Sequence, residues 1–365
     1  MLPISESKRP RKYEGLCESL RHRIQRMPIG ARLPSLRSLV KRYGMSLQSV
    51  NFALKQLQAE GLVDIRHGSG VYVSSQKAVR CIEFHRPQYP SVQLDRKELS
   101  LGKAVAKAGW KMIVKRHDPT YDDPIDTPDP GAAAHIVSAS LVDPRRSFFN
   151  LLLQQKVPVL AYGRESGSLD LDYVTGNDLH GIMMLLKHLR ELGHRRLGLI
   201  VNEPEYYEVA QRRTMFLELA ETLDFEPPCV VECGVREGED SQLGAWRGLW
   251  AFLANNEKRL PFTAAVVASA AGAAGVLRAF HEAGIRVPHD CSLASCCGFE
   301  GANALLIPSV TEVGVPLEAW GETAAQVLQQ RFDRDPGLVL ATKIPCRLDV
   351  RESTGSAPKV HARVS

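Results

Sequence analysis

Residues 30–73, GARLPSLRSLVKRYGMSLQSVNFALKQLQAEGLVDIRHGSGVYV, constrain this chain more than any other stretch, because their start and stop signals demand helices and a hairpin in immediate succession. Pro34 and Ser35 open a short helix with an N-cap, Leu36, Leu39 and Val40 form its apolar face, and Tyr43-Gly44 ends it in a left-handed turn. Ser46 caps the next helix. There Val50, Ala53, Leu54 and Leu57 recur at three- and four-residue spacing and face inward, which leaves Gln48, Ser49, Asn51 and Lys55 outside, where they can meet DNA. Gly61 closes that helix. Residues 62–65 and 71–73 read as two strands around His67-Gly68-Ser69-Gly70, with Arg66 and His67 near the hairpin tip. The whole reads as helix, turn, helix and two-stranded hairpin in succession. Ahead of it, Leu16, Cys17, Leu20, Ile24 and Met27 give residues 13–27 a helical stripe, and Lys8, Arg9, Arg11 and Lys12 make residues 1–12 a basic arm able to touch phosphate.

With 365 residues the chain exceeds one ordinary compact domain, and its charge is divided accordingly. Residues 1–80 hold 15 Lys+Arg against 5 Asp+Glu, a net +10, whereas the remainder holds 31 against 36, a net −5. A basic head on a mildly acidic body suits a nucleic-acid-binding module joined to a separate domain, since phosphate contacts supply much of such affinity. The N-terminus has no apolar run after its positive charge, and no segment approaches the eighteen or so apolar residues needed to span a bilayer, so a cytoplasmic protein with no membrane partner is expected. Eight cysteines at 17, 81, 229, 233, 291, 296, 297 and 346 show no paired CxxC spacing; they read as reduced thiols, and neither a metal site nor a cofactor is expected.

Beyond a connector at 74–78 the pattern alternates. Strands at 79–84, 110–115, 133–138 and 157–162 are interleaved with helices at 96–108 and 144–155 and with a Pro/Asp-rich loop at 117–130. A helix capped by Asn177 and Asp178 follows, then strands at 197–201, 229–233 and 264–268 with helices at 209–223, 244–255 and 272–283. Such alternation implies parallel strands joined by right-handed crossovers, in two doubly wound sheets. Trp246 and Trp250, four apart on one helix, read as packing.

The run RLPSLRSLVKRYGMSLQSVNFALKQLQAEGLVDIRHGSGVYV is similar to the winged-helix domain of GntR-type bacterial transcription regulators, over roughly residues 13–75. The resemblance implies that the helix begun by Ser46 lies in the DNA major groove, with Ser46, Gln48, Ser49 and Asn51 presented to it, and that Arg37, Arg66, His67 and Gly68 contact DNA from the preceding helix and the wing. Leu47 and Asn51 stand where that family often has Arg, so the target sequence differs.

Residues 79–355 resemble the effector-binding domain of the LacI/GalR repressors, itself similar to periplasmic sugar-binding proteins, through VTGNDLHGIMMLLKHLRELGHRRLGLI, RRTMF, AGIRVPHDCSLA, PSVTEV and RLDVRESTG in that order. This implies an α/β architecture, an N-terminal winged helix-turn-helix plus a two-lobed doubly wound periplasmic-binding-protein-like domain with ligand held between the lobes. The expected domains are 1–75 for the head, 76–355 for the effector-binding and dimerisation body, and 356–365 for a flexible tail. The N-lobe is expected to comprise about 79–163 and 296–333, and the C-lobe about 164–295 and 338–353. A GntR-type head on a LacI-type body is the arrangement of the arabinose-repressor group.

For the cleft, the resemblance implies a ligand contact at Arg212, lining roles for Arg86 and Tyr89 after the first strand, and positions equivalent to acidic anchors at Ser269-Ala270 and Ser295-Cys296-Cys297. The family has Asn-Asp and Gly-Phe-Asp at those two places, so both acids read as lost and Ser269 and Cys297 stand at the cleft instead. Asp178 reads as a plain helix cap. The function expected is a DNA-binding transcription regulator, a repressor working as a homodimer on a double-stranded operator, controlled by a small effector that is sugar-like or of another class. The alternatives are a repressor that needs no ligand and an enzyme using the Cys296-Cys297 pair or a His as nucleophile.

Overall fold

The computed structural model describes residues 12–66, 68–74, 79–89, 91–118, 128–129, 131–143, 145, 147–155, 157–333 and 337–358. The basic arm before residue 12, most of the Pro/Asp-rich loop and the last part of the expected tail lie outside the described residues. The chain divides into two compact units, one made of Met1–Ile82, Gly109–Lys111 and Asp129–Ala133, the other of Glu83–Ala108, Met112–Pro128 and Ala134–Ser365.

In the first unit, α1 (Lys12–Ile24), α2 (Leu36–Tyr43) and α3 (Leu47–Ala59) are followed by β1 (Val63–Arg66) and β2 (Gly70–Val73). Ser35 accepts from the Ser38 amide at 3.2 Å and Ser46 from the Ser49 amide at 3.1 Å, so each serine satisfies an amide that its helix cannot. Gly44 stops α2 at φ 62°, a conformation that costs glycine least. The stripe Leu16, Leu20 and Ile24 of α1 packs on Leu39, Val50, Leu54 and Leu57, and Val71 and Val73 of the wing close the core. β1 and β2 pair antiparallel from Val63↔Val73 to Arg66↔Gly70. The chain entering α2 lies along them, with the Leu33 amide donating to the Val71 carbonyl at 2.8 Å.

The second unit continues with β3 (Cys81–Pro87), which begins at the border of the first, then α4 (Val92–Lys107), β4 (Lys111–His117), β5 (Ala134–Ser138), α5 (Ser147–Leu153), β6 (Val159–Tyr162) and β7 (Asp172–Gly176). After these come α6 (Asp178–Glu191), β8 (Leu197–Val201), α7 (Tyr207–Thr222), β9 (Cys229–Glu232), α8 (Ser241–Asn255), β10 (Ala264–Val267) and α9 (Ala273–Ala283). The closing elements are β11 (Ser292–Phe299), β12 (Thr311–Val315), α10 (Leu317–Asp333), β13 (Ala341–Ile344) and β14 (Arg347–Asp349). One sheet has the order β13-β7-β6-β5-β3-β4, the other β14-β12-β11-β10-β8-β9. β6, β8 and β10 are buried along their whole length, as strands covered on both faces must be.

The sheet orders correct the expected lobe boundaries. β7 and β13 pair parallel with each other in the first sheet, although residues 164–295 and 338–353 had been expected in the C-lobe. β11 and β12 pair in the second sheet, although 296–333 had been expected in the N-lobe. Only α10 of that segment returns to the first lobe, where it crosses α4 so closely that a Cβ on Gly321 would run into the Ser100 backbone. The Ser100 hydroxyl accepts from the Gly321 amide at 3.1 Å and donates to the Leu317 carbonyl at 2.8 Å. Arg331 then ties α10 to β7 through two 2.6 Å bonds to Asp172. In the second lobe Leu249 of α8, Val276 and Phe280 of α9 and Val267 and Leu293 of the sheet share one core. Among the described residues no helix is long and apolar enough to cross a membrane.

Candidate nucleic-acid interface and ligand cleft

Capping and core packing leave one face of α3 outside. Ser46, Gln48 and Asn51 are exposed on it and Ser49 is half-buried, while the Ser46 and Ser49 hydroxyls share a 2.9 Å hydrogen bond. Leu47 and Phe52 also reach solvent, at 55 % and 51 % exposure, with the Phe52 ring 4.6 Å from that of Tyr13. Arg37 is exposed on α2 and Gly68 at the wing tip, at φ 74°. Arg66 is exposed yet braced: its Nε donates to Asp64 at 2.9 Å and its guanidinium lies 4.7 Å over the Tyr72 ring. His67 lies outside the described residues.

In the second unit a cleft of about 400 Å³ opens where the parallel strands of both sheets end. Tyr89 follows β3, Ser138 and Tyr162 end β5 and β6, Glu203 follows β8, Ser269 follows β10, and Phe299 ends β11. Ligands sit at that edge of open α/β sheets because the connecting loops diverge there and leave room. The volume suits a small molecule.

The cleft's charges are arranged in pairs. Arg212 on α7 donates from Nε to Asp178 Oδ2 at 2.7 Å, so the Nη groups are the part of its fork that a ligand can reach. Burial pulls the Arg212 pKa down, but Cys297, Asp178 and Glu208, in that order, outweigh it and hold the group well above its ordinary value. Lys97 of α4 stands 3.8 Å over the Trp320 ring and is pushed down to about 8, by burial first and then by Arg212. Burial raises the Glu203 carboxyl above the ordinary range, and it lifts Tyr89 to about 12, helped by Glu203. Among the described residues four cleft-lining atoms, Gln93 Nε2, Tyr162 Oη, Tyr206 Oη and Glu208 Oε2, are buried without a hydrogen-bond partner. Each such atom costs about 1–3 kcal/mol until something pairs with it.

The structure places Tyr89, Arg212 and Ser269 on the cleft wall. It does not place Arg86 there. At 3 % exposure Arg86 is spent on Asp95 and Glu98, at 2.7 Å each, because the β3 side chain points under α4 and not past the strand end. Cys297 is not among the lining residues either: a register shift between Ser295 and Gly298 bulges β11, and Cys297 takes φ 62° within it. A hydrogen bond with Cys296, and burial after it, push the Cys297 thiol well above its ordinary value, the reverse of what a nucleophile needs. The bulge also moves the Gly-Phe-acid pattern to Gly298-Phe299-Glu300, with Phe299 on the cleft. Asp178 is more than a cap; Asn177 does the capping, accepting from the His180 amide at 3.3 Å.

Lys97, Tyr162, Glu203 and Glu208 also line the cleft, and no motif in the sequence marks them. The cleft is not stripped of acids, since Glu203 and Glu208 line it in place of the two expected anchors. Glu203 stands just after β8, a position that short-range periodicity cannot distinguish from a solvated loop, and Glu208 lies in the first turn of α7. Ser269 itself is held by Asn202, which accepts from its amide at 3.0 Å and donates to its carbonyl at 3.2 Å. Trp246 is a packing residue whose Nε1 donates to Glu282 at 2.8 Å. Among the described residues one group, Glu83, His85 and His135, brings together enough ligand atoms to hold a metal ion.

Residues 12–73 match the model of the bacterial regulatory proteins of the gntR family, and residues 186–354 that of the periplasmic binding protein-like domain. The HTH-type transcriptional regulator MalR of Streptomyces coelicolor is 25% identical over 328 residues, covering 87% of this chain and 90% of that protein. The HTH-type transcriptional repressor PurR of Escherichia coli is 27% identical over 187 residues, 51% of this chain and 53% of PurR. Among solved structures, a LacI family transcriptional regulator from Enterococcus faecium with bound ribose aligns at TM-score 0.63 and 19% identity, over 76% of this chain and 99% of that one. The LacI family regulator CCPA from Weissella paramesenteroides with bound sucrose aligns at 0.62 and 17%, with the same coverage. The chain is therefore a transcription regulator that joins a winged helix-turn-helix head of the gntR family to a LacI/GalR-type, periplasmic-binding-protein-like body.

Proposed function

We propose that this regulator binds a double-stranded operator through residues 1–75 and is controlled by a polyhydroxylated, carbohydrate-like effector held by residues 76–355. The observation that carries the effector reading is the set of unpaired atoms lining the cleft: a donor on Gln93, hydroxyls on Tyr162 and Tyr206 and an acceptor on Glu208, beside the charged Arg212 fork. A sugar presents donors and acceptors on every side and pairs with such a mixed set, whereas an apolar ligand would leave these atoms unsatisfied. Tyr89 and Phe299 supply the flat surfaces on which a pyranose or furanose ring can lie.

The head reads DNA with Gln48, Ser49 and Asn51 in the major groove, while Arg37, Arg66 and Gly68 touch the backbone. Two heads in a homodimer meet a pseudo-palindromic site, and effector binding shifts their spacing by favouring one placement of the two lobes. The protein acts as a cytoplasmic repressor without catalysing a reaction. Thermal shift with a panel of sugars and glycosides, followed by gel shift at fixed salt with any hit, tests this. A panel that leaves both the melting temperature and operator affinity unmoved sinks the effector reading; absence of any sequence-preferred DNA binding sinks the whole.

A further inference from the structure

Away from the cleft, the face of the first sheet beneath α5 carries polar side chains where a core is expected to be apolar. Glu83 and His85 are two apart on β3 and so share one face, and His135 comes from β5, the neighbouring strand. All three are buried, at 0 % exposure. His85 Nε2 lies 3.2 Å from His135 Nδ1 and 3.5 Å from Glu83 Oε2, and His135 Nδ1 lies 3.3 Å from the same oxygen. The three atoms form a nearly equilateral triangle. Ligand atoms bound tetrahedrally to zinc at about 2.0–2.1 Å are about 3.3–3.4 Å apart, the size of that triangle.

The outer hydrogen bonds aim the lone pairs inward. Gln155 Nε2 donates to the Pro128 carbonyl at 3.4 Å, which turns its Oε1 toward His135 Nε2 at 3.0 Å. That ring nitrogen therefore carries the proton, and His135 Nδ1 presents a lone pair to the triangle. On the far side of His85, Nδ1 has His117 Nε2 at 3.0 Å as its partner, while the Phe148 ring stacks on His117 with centroids 4.5 Å apart. An imidazole that ligates with one nitrogen and hydrogen-bonds through the other is the usual outer shell of a metal ligand. A proton on His85 Nε2 can point at Glu83 or at His135 but not equally at both; a cation in the triangle satisfies all three.

We propose that Glu83, His85 and His135 form a buried site for a divalent first-row transition metal, zinc in the first instance, that braces β3 to β5. Two imidazoles and a carboxylate suit zinc better than calcium or magnesium, which take oxygen ligands. Complete burial makes the role structural. The braced strands run on to Tyr89 and Ser138, so the metal stiffens one wall of the cleft.

The test uses the full-length protein produced with zinc in the medium. Expected are about one zinc per chain by elemental analysis, a fall in melting temperature on chelation that zinc reverses, and, after replacement by Co²⁺, visible d–d bands without sulfur-to-metal charge transfer. Gln155→Leu, which leaves the three ligands in place, should weaken zinc affinity about 10- to 100-fold, and His135→Gln should abolish stoichiometric binding. Should His135→Gln fail to fold, the wild-type cobalt spectrum and the Gln155→Leu affinity decide. A folded protein that neither contains nor takes up metal, sulfur ligation in the cobalt spectrum, or full metal content in folded His135→Gln would each overturn the proposal and leave a hydrogen-bonded histidine chain.

Discussion

Asp178, the first residue of α6, accepts from Arg212 Nε on α7 at 2.7 Å, and this one bond sets the direction of the only arginine fork on the cleft wall among the described residues. The two side chains are 16 % and 17 % exposed, enough to reach a ligand yet too enclosed to be screened as a surface pair is. The carboxylate neutralises the guanidinium and holds it in a single plane.

Asp178→Asn keeps the shape but loses the charge, and Arg212→Lys keeps the charge but loses the fork. Each should weaken effector binding by about ten- to a hundredfold, since hydrogen bonds to charged groups are worth about 1.5–3 kcal/mol. Calorimetry on the effector found by the sugar screen is the measurement; an unchanged affinity in Arg212→Lys would show that the fork makes no ligand contact.

Lys97, pushed down to about 8 by burial, gives the protein a pH signature. Between about pH 8 and 10.5 the unfolded lysine keeps its proton while the folded one gives it up, so the unfolded state binds more protons and stability rises with pH. Below pH 8 both states are protonated and the cost of burying the charge is fully present. The stability of wild type relative to Lys97→Met, followed by urea unfolding, should therefore climb across that window. A flat difference would place the ammonium in a far wetter setting.

On the head, Arg37→Ala should weaken binding to all DNA sequences alike and shallow the salt dependence by about one counterion, because a phosphate contact carries no sequence information. Asn51→Ala should instead relax base preference at one position, by about 1–3 kcal/mol. Footprinting on randomised sites separates the two. Arg66→Ala loses the brace on Asp64 and Tyr72 together with any phosphate contact, and unchanged affinity in both arginine variants would mean that the recognition surface lies elsewhere.

Gly275 of α9 faces α8 so closely that an added Cβ would strike the Gln242 carbonyl. Backbone cannot yield as a side-chain tip can. Gly275→Ala should destabilise the second lobe by about 1–3 kcal/mol in spite of alanine's better helix propensity, read from denaturant midpoints.

The local signals were legible in detail. Ser35, Ser46 and Asn177 cap the helices where their spacing put them, Gly44 ends α2, and the apolar stripe of α3 is the buried one. The assignment of strands to sheets was not legible: β7 follows directly on the first lobe's strands in sequence, and nothing local tells it to remain there beside β13. Arg86 and Cys297 misled for a related reason. Which side of a strand end faces a cleft depends on the twist and on a bulge, and the bulge in β11 is visible only once β12 is beside it.

What the sequence determined by itself was everything set within a few residues: caps, turns, amphipathic faces, the alternation of strand and helix, and the charge that divides a basic head from an acidic body. The tertiary structure decided the rest. Asp178 and Arg212 are 34 positions apart, and His85 and His135 are 50 apart; the first become a pair only when α6 and α7 lie side by side, the second only when β3 and β5 are neighbours. Periodicity records which face of an element is buried, not which partner it meets there. The cleft and the histidine site are properties of those meetings.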